Sequence, residues 1–162
     1  MAGQRVAFLR HGKAMAESPS GFDADRPLAD RGHRQAAWMG ETLLADGFGE
    51  AVVISSPAER TWTTAGIVAG VLGSQAVRED RLFTHCGVEE LFEAVVERVE
   101  SPRLIVVGHN PTISLAASVF TAGVGPCAVS LRTGEAAVCS HSGSIEPGAG
   151  TLDGVLRLNA KD

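Results

Sequence analysis

Arg10, His11, Arg60 and His109 are residue types that could together handle a phosphoryl group. One histidine offers a nitrogen lone pair as nucleophile, the arginines offer planar forks of donors that match oxyanions, and the second histidine offers a further donor. Each also has an ordinary reading. A histidine after a strand is commonly a loop or core residue, an arginine is commonly half of a surface ion pair, and His109 stands just before Asn110-Pro111 as part of a cap. Their joint placement favours chemistry, because they cluster at the ends of three predicted strands.

The elements that must position them follow from hydrophobic pattern. Val6 to Leu9 is a short apolar run ending at Arg10-His11-Gly12, which reads as a buried strand feeding a loop. Ala51 to Ile54 is a second, ending in Ser55-Ser56-Pro57, an N-cap serine with proline at the first helical position. Arg60 then falls in the first helical turn, where a cation opposes the helix dipole unless it helps to hold an anion. Leu104 to Val107 is a third, and Gly108-His109-Asn110-Pro111 repeats the device of a capping residue followed by proline.

Helices are expected from about Asp30 to Leu44, from Pro57 to about Leu72, over Val88 to Val99 and from Pro111 to about Phe120. Val88, Leu91, Phe92, Val95, Val96 and Val99 follow the i, i+3, i+4, i+7 spacing of one apolar stripe. A short strand is expected at Ala76 to Arg78. Further on come a hairpin over residues 127 to 139 turning at Thr133-Gly134, a Ser/Gly/Pro-rich loop over 140 to 154, and a last strand near Val155 to Leu158. Alternating strands and helices imply an α/β fold with a mainly parallel sheet, whose ligands bind beyond the carboxyl ends of the strands.

The chain has 162 residues, 44% hydrophobic and 20% charged, which suits one compact domain over residues 1–162. A net charge of −5 gives no overall positive field to attract nucleic acid or an anionic membrane, so any anion must be gripped locally. No apolar stretch is long enough to span a bilayer, and a cytoplasmic location is the expectation. Cys86, Cys127 and Cys139 are odd in number and lack CxxC spacing, so reduced thiols are expected. In the predicted hairpin, Cys127 would face Ser140 and Cys139 would face Ala128, pointing the two cysteines to opposite sheet faces. A metal reading of His11, His85, Cys86 and His109 fits poorly, because helical i, i+4 spacing is missing and adjacent arginines would repel a cation. No cofactor is expected.

With these residues in view, Leu9-Arg10-His11-Gly12 resembles the Arg-His-Gly signature of the histidine phosphatase superfamily, also called phosphoglycerate-mutase-like. The segment from Ser56-Pro57 through Arg60 to Thr64-Ala65 resembles its second motif and Gly108-His109-Asn110 its third. The segment Asp25-Arg26-Pro27-Leu28-Ala29-Asp30-Arg31-Gly32, the length and the missing helical insertion resemble the SixA-type phosphohistidine phosphatases. The resemblance implies a minimal three-layer αβα sandwich in which His11 attacks phosphorus and becomes phosphorylated. It implies that Arg10 and Arg60 clamp the phosphoryl oxygens, that His109 donates to the transferring group, and that the Asn110 backbone adds a donor. Arg26 is then expected to border the site and touch substrate, with a loop ion pair to Asp23 or Asp25 as its alternative.

Relatives that cleave phosphate esters resemble one another in carrying a carboxylic acid after the third strand. The comparable stretch here, Arg81-Leu82-Phe83-Thr84-His85-Cys86-Gly87, has none. A phosphoramidate nitrogen can accept a proton before it leaves, so P–N cleavage depends less on a strong general acid than P–O cleavage. Glu79, Asp80, Glu89 and Glu90 lie within loop reach, and His85 is a further candidate acid. Lys13 departs from the acidic residue of some relatives at that position, and either captures an acidic substrate or is simply solvated. The expected partner is thus a phosphohistidine protein. The alternatives are a phosphomonoesterase for a small phosphorylated metabolite and a non-catalytic phosphate- or phosphoprotein-binding module.

Overall fold

The computed structural model describes residues 3–123 and 128–159. Its strands are β1 (Gln4–Arg10), β2 (Val52–Ser55), β3 (Ala76–Arg78), β4 (Arg103–Gly108), β5 (Ala136–His141) and β6 (Thr151–Leu156). The helices are α1 (Asp30–Ala45), α2 (Glu59–Leu72), α3 (Val88–Val96) and α4 (Thr112–Ala122). The sheet order is β3-β2-β4-β1-β5-β6. β3, β2, β4 and β1 run parallel, and β5 is antiparallel to both β1 and β6.

Both sheet faces are covered, which is why the central strands read as continuous apolar runs rather than as alternating ones. Within β1, Val6 and Phe8 pack with Leu91, Val95, Ile113 and Phe120 of α3 and α4. Ala7 and Leu9 point the other way, against Met39 and Leu43 of α1 and Val68 and Leu72 of α2. The architecture is therefore the expected three-layer αβα sandwich. Register does the rest of the positioning: Arg10 lies beside Gly108, and Ser55 beside Val107. The residues that follow β1, β2 and β4 thus emerge together at one edge.

Several boundaries differ from expectation. α2 starts at Glu59, because the Ser56 N–H still bonds the Val107 carbonyl at 3.1 Å and keeps that residue in the sheet. α4 starts at Thr112, since the Asn110 side chain bonds Leu131 and Ser114 instead of capping; the Asn110-Pro111 peptide is cis. α3 ends at Val96, after which i→i+3 bonds (Arg98 to Val95, Val99 to Val96) tighten the chain into turns.

The predicted hairpin does not form. Val129 and Leu131 alternate into the core as a strand would, but their N–H groups bond the hydroxyls of Ser118 and Ser114 on α4. β5 pairs with β1 and β6 instead, and the Cys127 end of the expected hairpin lies outside the described residues. β5 reaches His141 and β6 begins at Thr151, so the loop is shorter than the composition suggested. Among the described residues, no helix is long and apolar enough to cross a membrane.

Candidate active site

The edge where β1, β2 and β4 end opens onto a cleft of about 220 Å³. Arg10, His11, Arg26, Arg60, His109 and Asn110 all line it, joined by Lys13 and Thr84. His85 is exposed and does not line the cleft, although its charge still reaches His109.

His11 is buried just past β1. Its N–H bonds the Gly108 carbonyl at 3.2 Å, and the Gly134 N–H reaches the carbonyls of Arg10 (3.1 Å) and His11 (2.9 Å). The following loop seats on α1 through a close backbone contact: a Cβ on Gly12 would stand 2.6 Å from the Gly32 carbonyl oxygen, and one on Gly32 2.1 Å from that of Lys13. Thr64 of α2 ties the same loop down, accepting from the Gly12 N–H at 3.1 Å and donating to the Arg60 carbonyl. The backbone around His11 is thus held from the sheet, α1 and α2 at once.

His11 Nδ1 lies 2.7 Å from the Gly12 carbonyl oxygen, an acceptor only, so Nδ1 carries the ring proton and Nε2 keeps its lone pair. Burial brings the His11 pKa down to about 4, opposed by the Gly12 hydrogen bond and reinforced by Arg60, Arg10 and Arg26. The ring is neutral at physiological pH.

His109 stands with its ring centroid 5.2 Å from that of His11. Ser56 Oγ accepts the Ala58 N–H at 3.3 Å and lies 2.8 Å from His109 Nε2, the one acceptor its proton has among the described residues, so the hydroxyl donates to Nε2. The imidazole proton then sits on Nδ1. Burial, His11 and Arg60 bring the His109 pKa to about 3, so this ring also works as a neutral donor.

Arg60 is 3% exposed. Its Nη1 donates to the Asp23 carbonyl at 2.8 Å and its Nη2 to Asp23 Oδ2 at 3.0 Å. Arg10 Nη1 donates to the Leu131 carbonyl at 3.1 Å; burial lowers the Arg10 pKa and the charge of buried Glu135 opposes that shift. Arg10 Nε, Arg60 Nε and His109 Nδ1 are all buried without a protein partner among the described residues. An unpaired buried donor costs about 1–3 kcal/mol. All three belong to residues that line the cleft.

Arg26 lines the cleft, and its Nε also makes the expected alternative ion pair, to Asp23 Oδ1 at 2.9 Å. Asn110 uses its side chain internally, Nδ2 donating to Leu131 O at 2.8 Å and Oδ1 accepting from Ser114 at 2.6 Å. None of the carboxylates near the third strand lines the cleft. Glu79 pairs with Arg81 and Arg98, and the Arg81 hydrogen bond is the main reason its pKa falls to about 2. Glu90 accepts the Gly87 N–H at 2.9 Å, and Glu89 lines a separate groove beside Phe92. Sequence reasoning missed three supporting groups: Ser56 behind His109, Glu135 behind Arg10, and Asp23 as the partner of Arg60. Only Asp23 carried a signal, standing three residues before Arg26.

A family model described as histidine phosphatase superfamily (branch 1) matches residues 6–85, a span holding Arg10, His11, Arg26 and Arg60. An uncharacterized protein of Mycobacterium tuberculosis (strain H37Rv) is 33% identical, the alignment covering 90% of this chain and 97% of that protein. The fold is similar to that of the protein histidine phosphatase SixA complexed with tungstate, with a TM-score of 0.82 at 21% identity, covering 94% and 96% of the two chains. It is also similar to mycobacterial glucosyl-3-phosphoglycerate phosphatase, with a TM-score of 0.73 at 17% identity, covering 93% and 97%. Arg10 and His11 lie within the matched span, and His109 follows the parallel strand beside them: the chain belongs to the histidine phosphatase superfamily and is a phosphatase of that group.

Proposed function

We propose that the protein dephosphorylates phosphohistidine, a phosphoramidate, in a protein substrate, through a covalent intermediate on His11. The observation that carries this reading is the composition of the cleft, which combines a neutral imidazole and several cations with no carboxylate among the described residues lining it. His11 Nε2 would attack phosphorus, forming one P–N bond as the substrate's P–N bond breaks. The departing imidazole takes the bond's electron pair, and a proton on its nitrogen makes it a good leaving group without an acid from the enzyme. Water then attacks phosphorus, releasing phosphate and restoring His11. Arg10, Arg60 and the His109 Nδ1–H stabilise charge on the equatorial oxygens in both steps, with Arg26 and the Asn110 backbone at the substrate side. The arginines supply the positive charge that a metal ion supplies in other phosphatases.

The test compares kcat/KM for a protein phosphorylated on histidine with that for an aryl phosphate and a sugar phosphate. Faster turnover of the phosphoramidate is expected, and faster turnover of the esters would overturn the assignment. The second reading, a phosphomonoesterase for a small metabolite, draws on the likeness of fold to the glucosyl-3-phosphoglycerate enzyme.

Acidity supplies a separate prediction. With His11 held at about 4, the acid limb of kcat/KM for an aryl phosphate should fall near pH 4, well below the 6.5 of an ordinary imidazole. Stability follows the same groups. The unfolded chain protonates His11 and His109 near 6.5, whereas the folded chain resists until about 4 and 3. Between those limits the unfolded state binds more protons, so stability falls as pH drops through the window. Thermal melts across pH 7 to 4 check this, and an acid limb at 6.5 would show that His11 is not held neutral.

A further inference from the structure

Asp23 lies on a 3-10 turn, Asp23–Asp25, in the loop between β1 and α1, and its carboxylate is more than half exposed. It nonetheless makes the contacts that fix the most buried arginine of the cleft. Both terminal nitrogens of Arg60 are committed to it, one through the carbonyl and one through Oδ2, while Oδ1 takes Arg26 Nε. The guanidinium edge left to Arg60 is the one carrying Nε–H, the donor without a protein partner. A planar fork held by its far end can turn only a little, so its remaining edge is preoriented.

Resting on the phosphatase reading, we propose that Asp23 is a positioning residue for phosphoryl transfer, gripping Arg60 and Arg26 so that both face the phosphoryl group over His11 as one aligned pair. The turn itself is anchored: the Arg26 N–H bonds the Asp23 carbonyl, Arg26 Nη1 bonds the Met15 carbonyl at 2.9 Å, and Ala14 bridges Leu28. Asp23 therefore transmits a fixed loop position to the clamp. Its arginine partners hold its carboxyl below the usual range, so it stays ionised across the working pH.

An aligning carboxylate beside an anion site has opposed effects. It improves orientation in the transition state while repelling the bound phosphate. Asp23→Asn, which keeps the shape, should therefore lower kcat about ten- to a hundredfold without raising KM. Vanadate, which adopts the five-coordinate geometry of the transition state, should bind more weakly by a similar factor, whereas inhibition by inorganic phosphate should not weaken. Asp23→Glu should recover part of kcat. Asp25→Asn is the control, since Asp25 bonds Ser20 and touches neither arginine, and it should leave these quantities unchanged.

Thermal melts establish that each variant is folded. An unchanged kcat, or a KM that rises while kcat holds, overturns the proposal. A rise in kcat/KM does so as well, because Asp23 would then be a gate that substrate displaces. A wild-type protein that turned over no phosphorylated substrate would instead sink the functional reading, and the vanadate–phosphate comparison would still test Asp23.

Discussion

His11→Ala is expected to lower kcat at least about 10⁴-fold and to abolish the acid-labile phosphoenzyme formed on brief exposure to substrate. The other cleft histidine cannot take over, because Ser56 engages Nε2 of His109 and the proton sits on its Nδ1. Rapid acid-free quenching followed by mass spectrometry reads the intermediate, and steady-state kinetics reads the rate. The variant should remain folded, since the loop keeps its bonds to Gly108, Gly134 and Thr64. Its stability should also fall less steeply from pH 6.5 to 4, because one of the two groups that resist protonation is gone. Turnover in His11→Ala close to wild type would end the covalent mechanism. A folded wild-type protein that binds phosphate but never labels would instead be a binding module.

Arg60→Ala is expected to reduce kcat/KM by about 10²–10³-fold, the range seen when one preorganised donor to a developing anion is removed. Arg60→Lys should restore only a fraction. An ammonium is a point donor and cannot hold two bonds to Asp23 while presenting a separate edge to phosphate. Stability should change less than activity, because the stranded partner is an exposed carboxylate that water can solvate. Kinetics read beside thermal melts separate the two effects. A loss below tenfold in Arg60→Ala would show that the clamp depends on Arg10 instead.

Much of the site was legible because it uses features that are local in sequence. Arg10-His11, Arg60 and His109 each follow an apolar strand directly, and parallel pairing of β1, β4 and β2 brings strand ends together without further information. The edges of α1 and β3 and the end of α2 were legible for similar reasons, the last at Leu72 just before Gly73. Misreadings arose where a long-range bond overrode a local signal. Ser56 looked like a helix cap but its N–H belongs to the sheet, and its hydroxyl faces a histidine 53 residues away. The alternation around Val129 and Leu131 looked like a strand, and the partners turned out to be serine hydroxyls on a helix. Asp23 escaped notice as a partner of Arg60 because that pairing spans 37 positions, and its one local signal, the spacing to Arg26, points to Arg26 instead.

The contact between Gly12 and Gly32 changes what the third letter of Arg-His-Gly means. Gly12 is not among the glycines with positive φ, so its backbone conformation is open to other residues; what excludes them is the proximity of another backbone. The requirement is reciprocal, since Gly32 has no more room than Gly12. A methyl group at either position would lift the His11 loop off its seat, and neither change could be compensated by trimming the other residue, which is already the smallest available. The signature is in this respect a two-point constraint spread over 20 positions, half of it written at the start of a helix that contributes no reacting atom.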